Sequence, residues 1–171
     1  MFEVKGATFE INGKQILNPI DHSFHEGKVY GLIGHNGSGK STLIKLMAQQ
    51  QPVSQGEVHF DQRPLSDWGN REFARQVAYL PQHLPSAESL TGRELVAFGR
   101  YPWHGLLGRH TQKDKDAIDR AIALTHTEAF ADRLVDTLSG GERQRYQHGL
   151  ALLRRADGTA QRSLAGPWQP G

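Results

Sequence analysis

The segment of residues 34–41, GHNGSGKS, fits the pattern G-x-x-x-x-G-K-[ST] at every fixed position. The residues before it, 28–33 (KVYGLI), form an apolar run that predicts a short buried strand. After it, Leu43, Leu46 and Met47 recur at helical spacing and predict a helix. A glycine-rich loop between a buried strand and a helix is typical of α/β folds, so this segment constrains the fold more than any other.

The chemistry of this loop explains its residue types. A bound triphosphate needs several converging backbone N–H groups, and glycines let the chain wrap that closely. Lys40 would bring a charge to the β- and γ-phosphates, and the Ser41 hydroxyl would be a Mg²⁺ ligand. A chance match is the alternative, but the strand and helix on either side favour an anion site at the helix N-terminus. The residues that we expect to bind the nucleotide are Gly34, His35, Asn36, Gly37, Ser38, Gly39, Lys40, Ser41 and Thr42.

A second phosphate-binding surface is predicted in residues 138–145, which read LSGGERQR. Ser139 and Glu142 form the S-x-x-E pattern of a capping box, which opens a helix. Gly140 and Gly141 leave the first backbone N–H groups of that helix uncovered by side chains, so an anion can approach them. The capping pattern alone would also fit an ordinary helix, whereas the whole octapeptide is more specific.

These motifs resemble those of a known family. LSGGERQR is similar to the signature motif of ATP-binding-cassette (ABC) ATPases, and GHNGSGKST is similar to their Walker A motif. Between them, residues 79–82 (YLPQ) resemble the Q-loop of that family. The resemblance implies an α/β fold of the P-loop NTPase cassette type. It would have a RecA-like core, here incomplete, an N-terminal β-subdomain and an α-helical subdomain that carries the signature.

The resemblance also implies a role for each motif. Gln82 would contact the metal ion and the attacking water, so Ser41 and Gln82 are the candidate Mg²⁺ ligands. The adenine ring would rest on Ile11 or on Phe9. In this family two subunits form a head-to-tail homodimer, and each signature closes over the γ-phosphate held by the P-loop of the other subunit. The residues implied to contact that second ATP are Ser139, Gly140, Gly141 and Gln144.

A narrower resemblance concerns the transported ligand. Residues 100–109 (RYPWHGLLGR) are similar to a segment of the ATPase subunits of iron–siderophore importers, the ferrichrome (hydroxamate) type especially. Cobalamin and haem importers use related subunits, so the substrate stays open among these classes. The implied function is that of an ATP-hydrolysing subunit. It would energise a membrane permease from the cytoplasmic face of the bacterial inner membrane.

Composition and charge indicate which cellular compartment and which classes of partner to expect. No apolar run approaches the roughly 20 residues that span a bilayer. The absence of a signal peptide and of cysteine predicts a cytoplasmic protein. The sequence pI near 9.0 would fit nucleic-acid binding, but the excess charge lies in residues 146–171 and the rest is neutral. We therefore expect no nucleic-acid partner, and ABC ATPases of DNA repair carry long insertions for which this chain has no room.

Turn and capping signals predict the other elements. Asn12-Gly13 and Glu26-Gly27 divide residues 2–33 into short strands. Thr91 with Glu94 forms a capping box, and Thr111 precedes another helix. Further strands are predicted at 56–60 and 76–80, and a helix at 71–75.

The predicted organisation is a partial ABC ATPase domain over residues 1–145, with the P-loop core and β-subdomain at 2–83 and the helical subdomain at 84–145. Beyond Arg145 the resemblance stops, because the family would continue to a strand that ends in a catalytic Asp-Glu pair. We expect residues 146–171 to be a disordered or non-native tail that arose by a frameshift. Two hypotheses follow: an ATP-hydrolysing importer subunit, or a catalytically inactive nucleotide-binding remnant.

Overall fold

A computed structural model describes residues 1–80, 89–104 and 111–154. The chain divides into two compact units, Met1–Asn70 and a second that begins at Arg71. Gln82, residues 105–109 and residues 155–171 lie outside the described residues. The predictions about the Q-loop and about the tail beyond Arg154 therefore stay predictions. None of the helices in the described parts of the chain is both long enough and apolar enough to cross a membrane.

The first unit is built on an antiparallel sheet. Strands β1 (Phe2–Ile11) and β2 (Lys14–Phe24) form a hairpin, which confirms the turn predicted at Asn12-Gly13. Both turn residues have positive φ, 51° and 76°, as this kind of two-residue hairpin turn requires. Strand β3 (Gln55–Phe60) confirms the strand predicted at 56–60, and β4 (Arg63–Pro64) is short. The strand order is β2-β1-β3-β4.

Helix α1 (Lys40–Met47) confirms the helix predicted after the glycine-rich loop and buries Leu43 and Leu46. The backbone just before the helix, at Gly39, lies against Leu17 of β2. The start of α1 is therefore fixed on the β-hairpin, which places the loop at a defined position in this unit.

Residues 28–33 form no strand, so this sequence prediction is wrong. The side chains of Val29 and Ile33 are 101% and 95% exposed, and Tyr30 and Leu32 are also exposed. Apolar sequence becomes a strand only beside a neighbour that pairs with its backbone, and among the described residues the sheet consists of β1–β4 alone. Residues 77–80 also form no strand, for the same reason. The described residues thus contain no parallel core sheet.

The second unit is helical. Its helices are α3 (Gly92–Ala97), α4 (Tyr101–His104), α5 (Gln112–Leu124) and α6 (Gly140–Arg154), while α2 (Asn70–Gln76) begins at the last residue of the first unit. Helix α2 confirms the helix predicted at 71–75. The capping box predicted at Thr91 starts α3, and α5 confirms the helix predicted after Thr111, which also forms a capping box.

Helices α3, α5 and α6 pack around one apolar core. Its most buried members include Val96, Ile122, Val135 and Tyr146. A buried ion pair, Arg100 Nε to Asp114 Oδ1 at 2.8 Å, joins the 3₁₀ turn after α3 to the first turn of α5. Its charges are acceptable inside the unit because Asp114 also accepts a hydrogen bond from the Thr111 backbone at 2.8 Å.

Helix α6 continues through Arg154, so the boundary predicted after Arg145 falls inside a helix. Tyr146, Leu150 and Leu153 are all buried in the core of the helical unit. Their spacing of four and three residues continues the apolar face of α6. Residues 146–154 are thus part of the folded helical unit, so the disorder predicted for the tail is wrong for these residues.

Candidate functional site

The glycine-rich loop leads directly into α1, and its shape depends on glycine at two positions. Gly37 and Gly39 have φ of +83° and +85°, a region that other residues rarely adopt. A Cβ at Gly39 would lie 2.7 Å from Leu17 Cδ1 and 3.2 Å from the carbonyl oxygen of Ile16. The glycine-rich pattern of the loop predicted that glycine is needed for the backbone conformation. It could not predict the close contact at Gly39, because Ile16 and Leu17 are distant in sequence.

Lys40 folds back over this loop. Its Nζ donates hydrogen bonds to the carbonyl oxygens of Gly34 at 2.8 Å and His35 at 2.7 Å, and to Ser38 Oγ at 3.3 Å. The loop is further closed by the Ser38 backbone N–H, which donates to the His35 carbonyl at 3.2 Å. The Lys40 ammonium group is therefore held against the loop, between the carbonyl groups of Gly34 and His35 and the Ser38 hydroxyl. Phosphate oxygens there would replace neutral acceptors with anionic ones, which form stronger hydrogen bonds.

The start of α1 fits an anionic ligand. The N-cap residue is Gly39, with no side-chain cap, and the first turn carries no acidic residue. The first N–H groups of a helix have no partner within the helix, so here they are left for a ligand. Ser41 is exposed in this turn, and a hydroxyl oxygen is a suitable ligand for Mg²⁺. Lysine, hydroxyl and backbone donors together fit a nucleotide triphosphate with Mg²⁺.

We expect Gly39→Ala to destabilise the first unit by about 2 kcal/mol and to weaken nucleotide binding, because the new methyl group meets Leu17 at a strained φ. Gly69→Ala is the matched control, since nothing lies within 4 Å of its added Cβ and its φ is not positive. Urea unfolding and ATP titration of both variants would check this. Equal stability of the two variants would contradict the packing seen at Gly39.

The signature motif starts α6, as predicted. The Glu142 carboxylate accepts a hydrogen bond from the Ser139 backbone N–H at 2.7 Å, and Ser139 Oγ accepts one from the Glu142 N–H at 3.3 Å. These two bonds confirm the capping box. No described residue lies within 4 Å of a Cβ added at Gly140 or Gly141, so packing among the described residues does not require glycine there. Close approach of a ligand to the backbone would explain both glycines.

The capping box makes the helical unit sensitive to acid. Hydrogen bonds from the backbone and side chain of Ser139 lower the pKa of Glu142 below its ordinary value of 4.5. The stability that this carboxylate contributes is present above pH 4.5 and is lost as the pH falls through its lowered pKa.

We therefore expect the urea midpoint of the helical unit to fall as the pH is lowered below 4.5, and to fall less in Glu142→Gln. Glu128→Gln is the control, because Glu128 lies in a 3₁₀ turn without a side-chain cap. Circular dichroism of urea titrations at several pH values would measure the effect. An identical acid response of Glu142→Gln and the unaltered chain would contradict it.

The predicted site residues fall in both units. The glycine-rich loop and α1 lie in the first unit, and Ser139, Gly140, Gly141 and Gln144 lie in the second. Of the two candidates for contact with adenine, Ile11 is exposed next to the hairpin turn, whereas Phe9 is buried. Ile11 is thus the one whose side chain can reach a ligand.

The start of the segment 100–109 is held by polar contacts. Its first residue, Arg100, makes the buried ion pair with Asp114. The carbonyl oxygen of Pro102 accepts hydrogen bonds from Nε of both Arg71 and Arg75, each at 2.9 Å. Pro102 therefore lies inside a short helix that α2 holds in place, and its side chain is buried.

The sequence profile of the ABC transporter family matches residues 17–157. This match extends past Arg145, so the prediction that the resemblance stops there is wrong. The chain is 37% identical over 151 residues to the hemin import ATP-binding protein HmuV of Streptomyces coelicolor (88% of this chain, 53% of the relative). It is 40% identical over 131 residues to the petrobactin import ATP-binding protein FpuC of Bacillus anthracis (77% and 48%). It is 38% identical over 139 residues to the achromobactin transport ATP-binding protein CbrD of Dickeya dadantii (81% and 52%).

The chain spans about half the length of these curated relatives. Solved structures show the same fold. A dimeric ATP-binding cassette in a post-hydrolysis state, bound to ADP and Pi, matches with a TM-score of 0.76 at 22% identity (90% of this chain, 70% of the other). An ATP-binding subunit of an ABC transporter matches with 0.74 at 23% identity (90% and 62%). The predicted cassette fold is therefore confirmed, and the chain belongs to the ABC transporter family.

Proposed function

We propose that this chain binds ATP with Mg²⁺ as part of an ATPase that energises the import of an iron chelate. The observation that carries the proposal is the glycine-rich loop at the uncapped N-terminus of α1, with Lys40 held over it. Its relatives bear the names of import or transport ATP-binding proteins, which supports the role in uptake.

In the proposed site each group has a separate task. Backbone N–H groups of the loop and of the first turn of α1 would bind phosphate oxygens, and Lys40 would neutralise the β- and γ-phosphates. Ser41 would hold the Mg²⁺, with Gln82 as a second ligand, and the ion would neutralise charge that develops on the phosphates. The first turn of α6 would cover the γ-phosphate bound by another subunit, because Gly140 and Gly141 leave its backbone open. A head-to-tail homodimer follows from this arrangement.

The proposed cargo is a ferric siderophore, with haem as the alternative. The resemblance of residues 100–109 to hydroxamate-siderophore importers supports the former, and the name of the Streptomyces relative supports the latter. The proposed partner is the permease of such an importer, reached from the cytoplasmic face of the inner membrane. Co-purification of the chain with a hydroxamate-siderophore permease, but not with a haem permease, would support the siderophore. The reverse result would assign haem.

A second candidate is a nucleotide-binding protein that does not hydrolyse ATP. It is favoured by the composition of residues 146–171, which contain Asp157 as their single carboxylate side chain and no Asp-Glu pair. A carboxylate that polarises the attacking water is a usual requirement for hydrolysis.

We expect the purified chain to bind ATP, and to bind it more tightly with Mg²⁺ present. Calorimetric titration with and without Mg²⁺ would test this, and a steady-state assay of phosphate release would separate the two candidates. Phosphate release that Lys40→Ala abolishes would establish the hydrolytic role. Binding without release would establish the second candidate, and no binding at all would contradict the proposed function.

A further inference from the structure

Two Asn-Gly dipeptides lie in exposed turns of the first unit. One is Asn12-Gly13 in the hairpin turn, and the other is Asn36-Gly37 in the glycine-rich loop. Asparagine is thermally labile, because the backbone nitrogen of the next residue can attack its side-chain carboxamide. Glycine in that next position leaves the nitrogen accessible, since glycine has no Cβ. Both dipeptides are therefore candidate sites of chemical modification, and their surroundings differ.

Asn36 and Gly37 are the central residues of a turn. The turn is closed by the Ser38 backbone N–H, which donates to the His35 carbonyl at 3.2 Å, and Gly37 has a φ of +83°. The closing bond joins the outer residues, so the peptide group between Asn36 and Gly37 takes no part in it. Asn36 is exposed, and neither its carboxamide nor the Gly37 N–H makes a hydrogen bond with the described residues. Both reacting groups are thus available to each other.

The His35 ring contacts the peptide group that would react. Its Nδ1 lies 2.9 Å from the Asn36 backbone carbonyl oxygen, and Nδ1 donates because a carbonyl oxygen only accepts. A donor at this oxygen polarises the peptide group, so the Gly37 N–H loses its proton more readily. The Lys40 ammonium, 2.7 Å from the His35 carbonyl oxygen, adds positive charge beside the same turn. The deprotonated nitrogen is the attacking species, so both groups favour the reaction at Asn36.

The hairpin turn is less suited to the same reaction. Ile11 pairs with Lys14 on either side of Asn12-Gly13, so the paired strands restrict the backbone rotation that ring closure requires. Among the described residues no side chain donates a hydrogen bond to the Asn12 carbonyl oxygen. The reaction should therefore be slower at Asn12 than at Asn36.

We propose that Asn36 deamidates spontaneously in the folded chain, with Gly37 as the nucleophile and water as the second reactant. The Gly37 nitrogen, its proton taken by hydroxide, forms a bond to Asn36 Cγ and closes a cyclic imide. The Cγ–Nδ2 bond breaks, and Nδ2 takes a proton from water and leaves as ammonia. Water then opens the ring. Opening at Cγ leaves an aspartyl residue at position 36, and opening at the backbone carbonyl leaves an isoaspartyl residue, whose main chain runs through Cβ and Cγ.

The modification would act on nucleotide binding. This consequence rests on the proposed function, whereas the reaction itself does not. Either product carries a carboxylate in the loop, which would repel the phosphates, and the isoaspartyl product also lengthens the backbone by one atom. We expect the modified chain to bind ATP about tenfold more weakly, or worse. Bound ATP should in turn slow the reaction, because phosphate oxygens would occupy the N–H groups of the loop.

The test is incubation of the full chain without ATP at mildly alkaline pH. Peptide mapping by mass spectrometry, with detection of isoaspartate, would follow both dipeptides in one sample. We expect Asn36 to react about threefold faster than Asn12 or more, which is the order of effect of one hydrogen bond. In the urea-unfolded chain the two should react at similar rates, because glycine follows both. His35→Ala should remove the preference for Asn36 and leave the rate at Asn12 unchanged, and circular dichroism would verify that this variant folds.

Three results would overturn the inference: equal rates in the folded chain, a faster reaction at Asn12, or an unchanged preference in His35→Ala. Ion-exchange chromatography would separate the modified chain for titration with ATP. Undiminished affinity of that fraction would overturn the consequence for binding. Asn36→Gln should lose no affinity on incubation, because glutamine would have to close a larger ring, and a loss would place the damage elsewhere. Absence of ATP binding by the fresh chain would contradict the proposed function alone, since the rates at Asn36 are measured without ATP.

Discussion

Replacing Lys40 by alanine is expected to lower the affinity for ATP about a hundredfold or more. The Lys40 ammonium already donates to the Gly34 and His35 carbonyls, so it lies where the loop would hold the phosphates. Hydrogen bonds between charged groups contribute about 1.5 kcal/mol or more each. The variant loses two of them, and about 1.4 kcal/mol corresponds to a factor of ten in affinity. The affinity for ATP should therefore fall about a hundredfold or more. Calorimetric titration with ATP at fixed ionic strength would measure it.

Lys45→Ala is the matched control for this variant. Lys45 lies in the last turn of the same helix α1, so it carries the same charge on the same element but away from the loop. Its removal should change the affinity by less than about twofold, because exposed charges at a distance are screened by salt. An equal loss in both variants would indicate non-specific attraction of the anion. Unchanged affinity of Lys40→Ala would show that the loop is not the site.

Local features of the fold and of the candidate site were predictable from the sequence. The capping boxes at Thr91, Thr111 and Ser139 depend on residues three apart in sequence, and all three are present. The hairpin turn at Asn12-Gly13 depends on two neighbours that tolerate positive φ. Each of these features is encoded within one helical turn or one hairpin, so the residues that specify it are adjacent.

Features that depend on distant partners were not predictable in the same way. Residues 28–33 have the composition of a buried strand, but no strand among the described residues lies beside them. The contact of Gly39 with Leu17 joins a loop to a strand more than twenty positions earlier. A sequence pattern indicates which secondary structure a segment prefers. Whether the segment is buried and paired depends on the other parts of the protein that lie beside it.

The length of α6 shows a different reason for a wrong prediction. The sequence after Arg145 lacks the motifs of the family, but the end of those motifs is not the end of the fold. The apolar positions Tyr146, Leu150 and Leu153 nevertheless keep the helical period. Packing of a helix depends on that period and not on catalytic motifs, so residues 146–154 complete the core of the helical unit.

Replacing Tyr146 by alanine is accordingly expected to destabilise the helical unit by about 3–5 kcal/mol, the usual effect of removing a buried aromatic ring. The Tyr146 side chain is 0% exposed. Its ring lies against Gly92, where an added Cβ would come within 2.3 Å of Cζ, and near Phe130 with centroids 6.1 Å apart. The Ala variant would leave a cavity between α3 and α6. Urea unfolding followed by circular dichroism, with amide exchange of α3, α5 and α6, would measure the loss.

Two further variants separate packing from hydrogen bonding at this position. Tyr146→Phe keeps the ring but removes the hydroxyl, which donates to the buried Thr127 carbonyl at 3.0 Å, so we expect a smaller loss of about 1–2 kcal/mol. His148→Ala changes an exposed residue on the same helix and should leave stability within about 0.5 kcal/mol. Equal stabilities of Tyr146→Ala and His148→Ala would mean that residues 146–154 do not belong to the core. The loss of stability should be largest in Tyr146→Ala, smaller in Tyr146→Phe and smallest in His148→Ala. This order would establish that the part of α6 past Arg145 stabilises the helix that carries the signature motif.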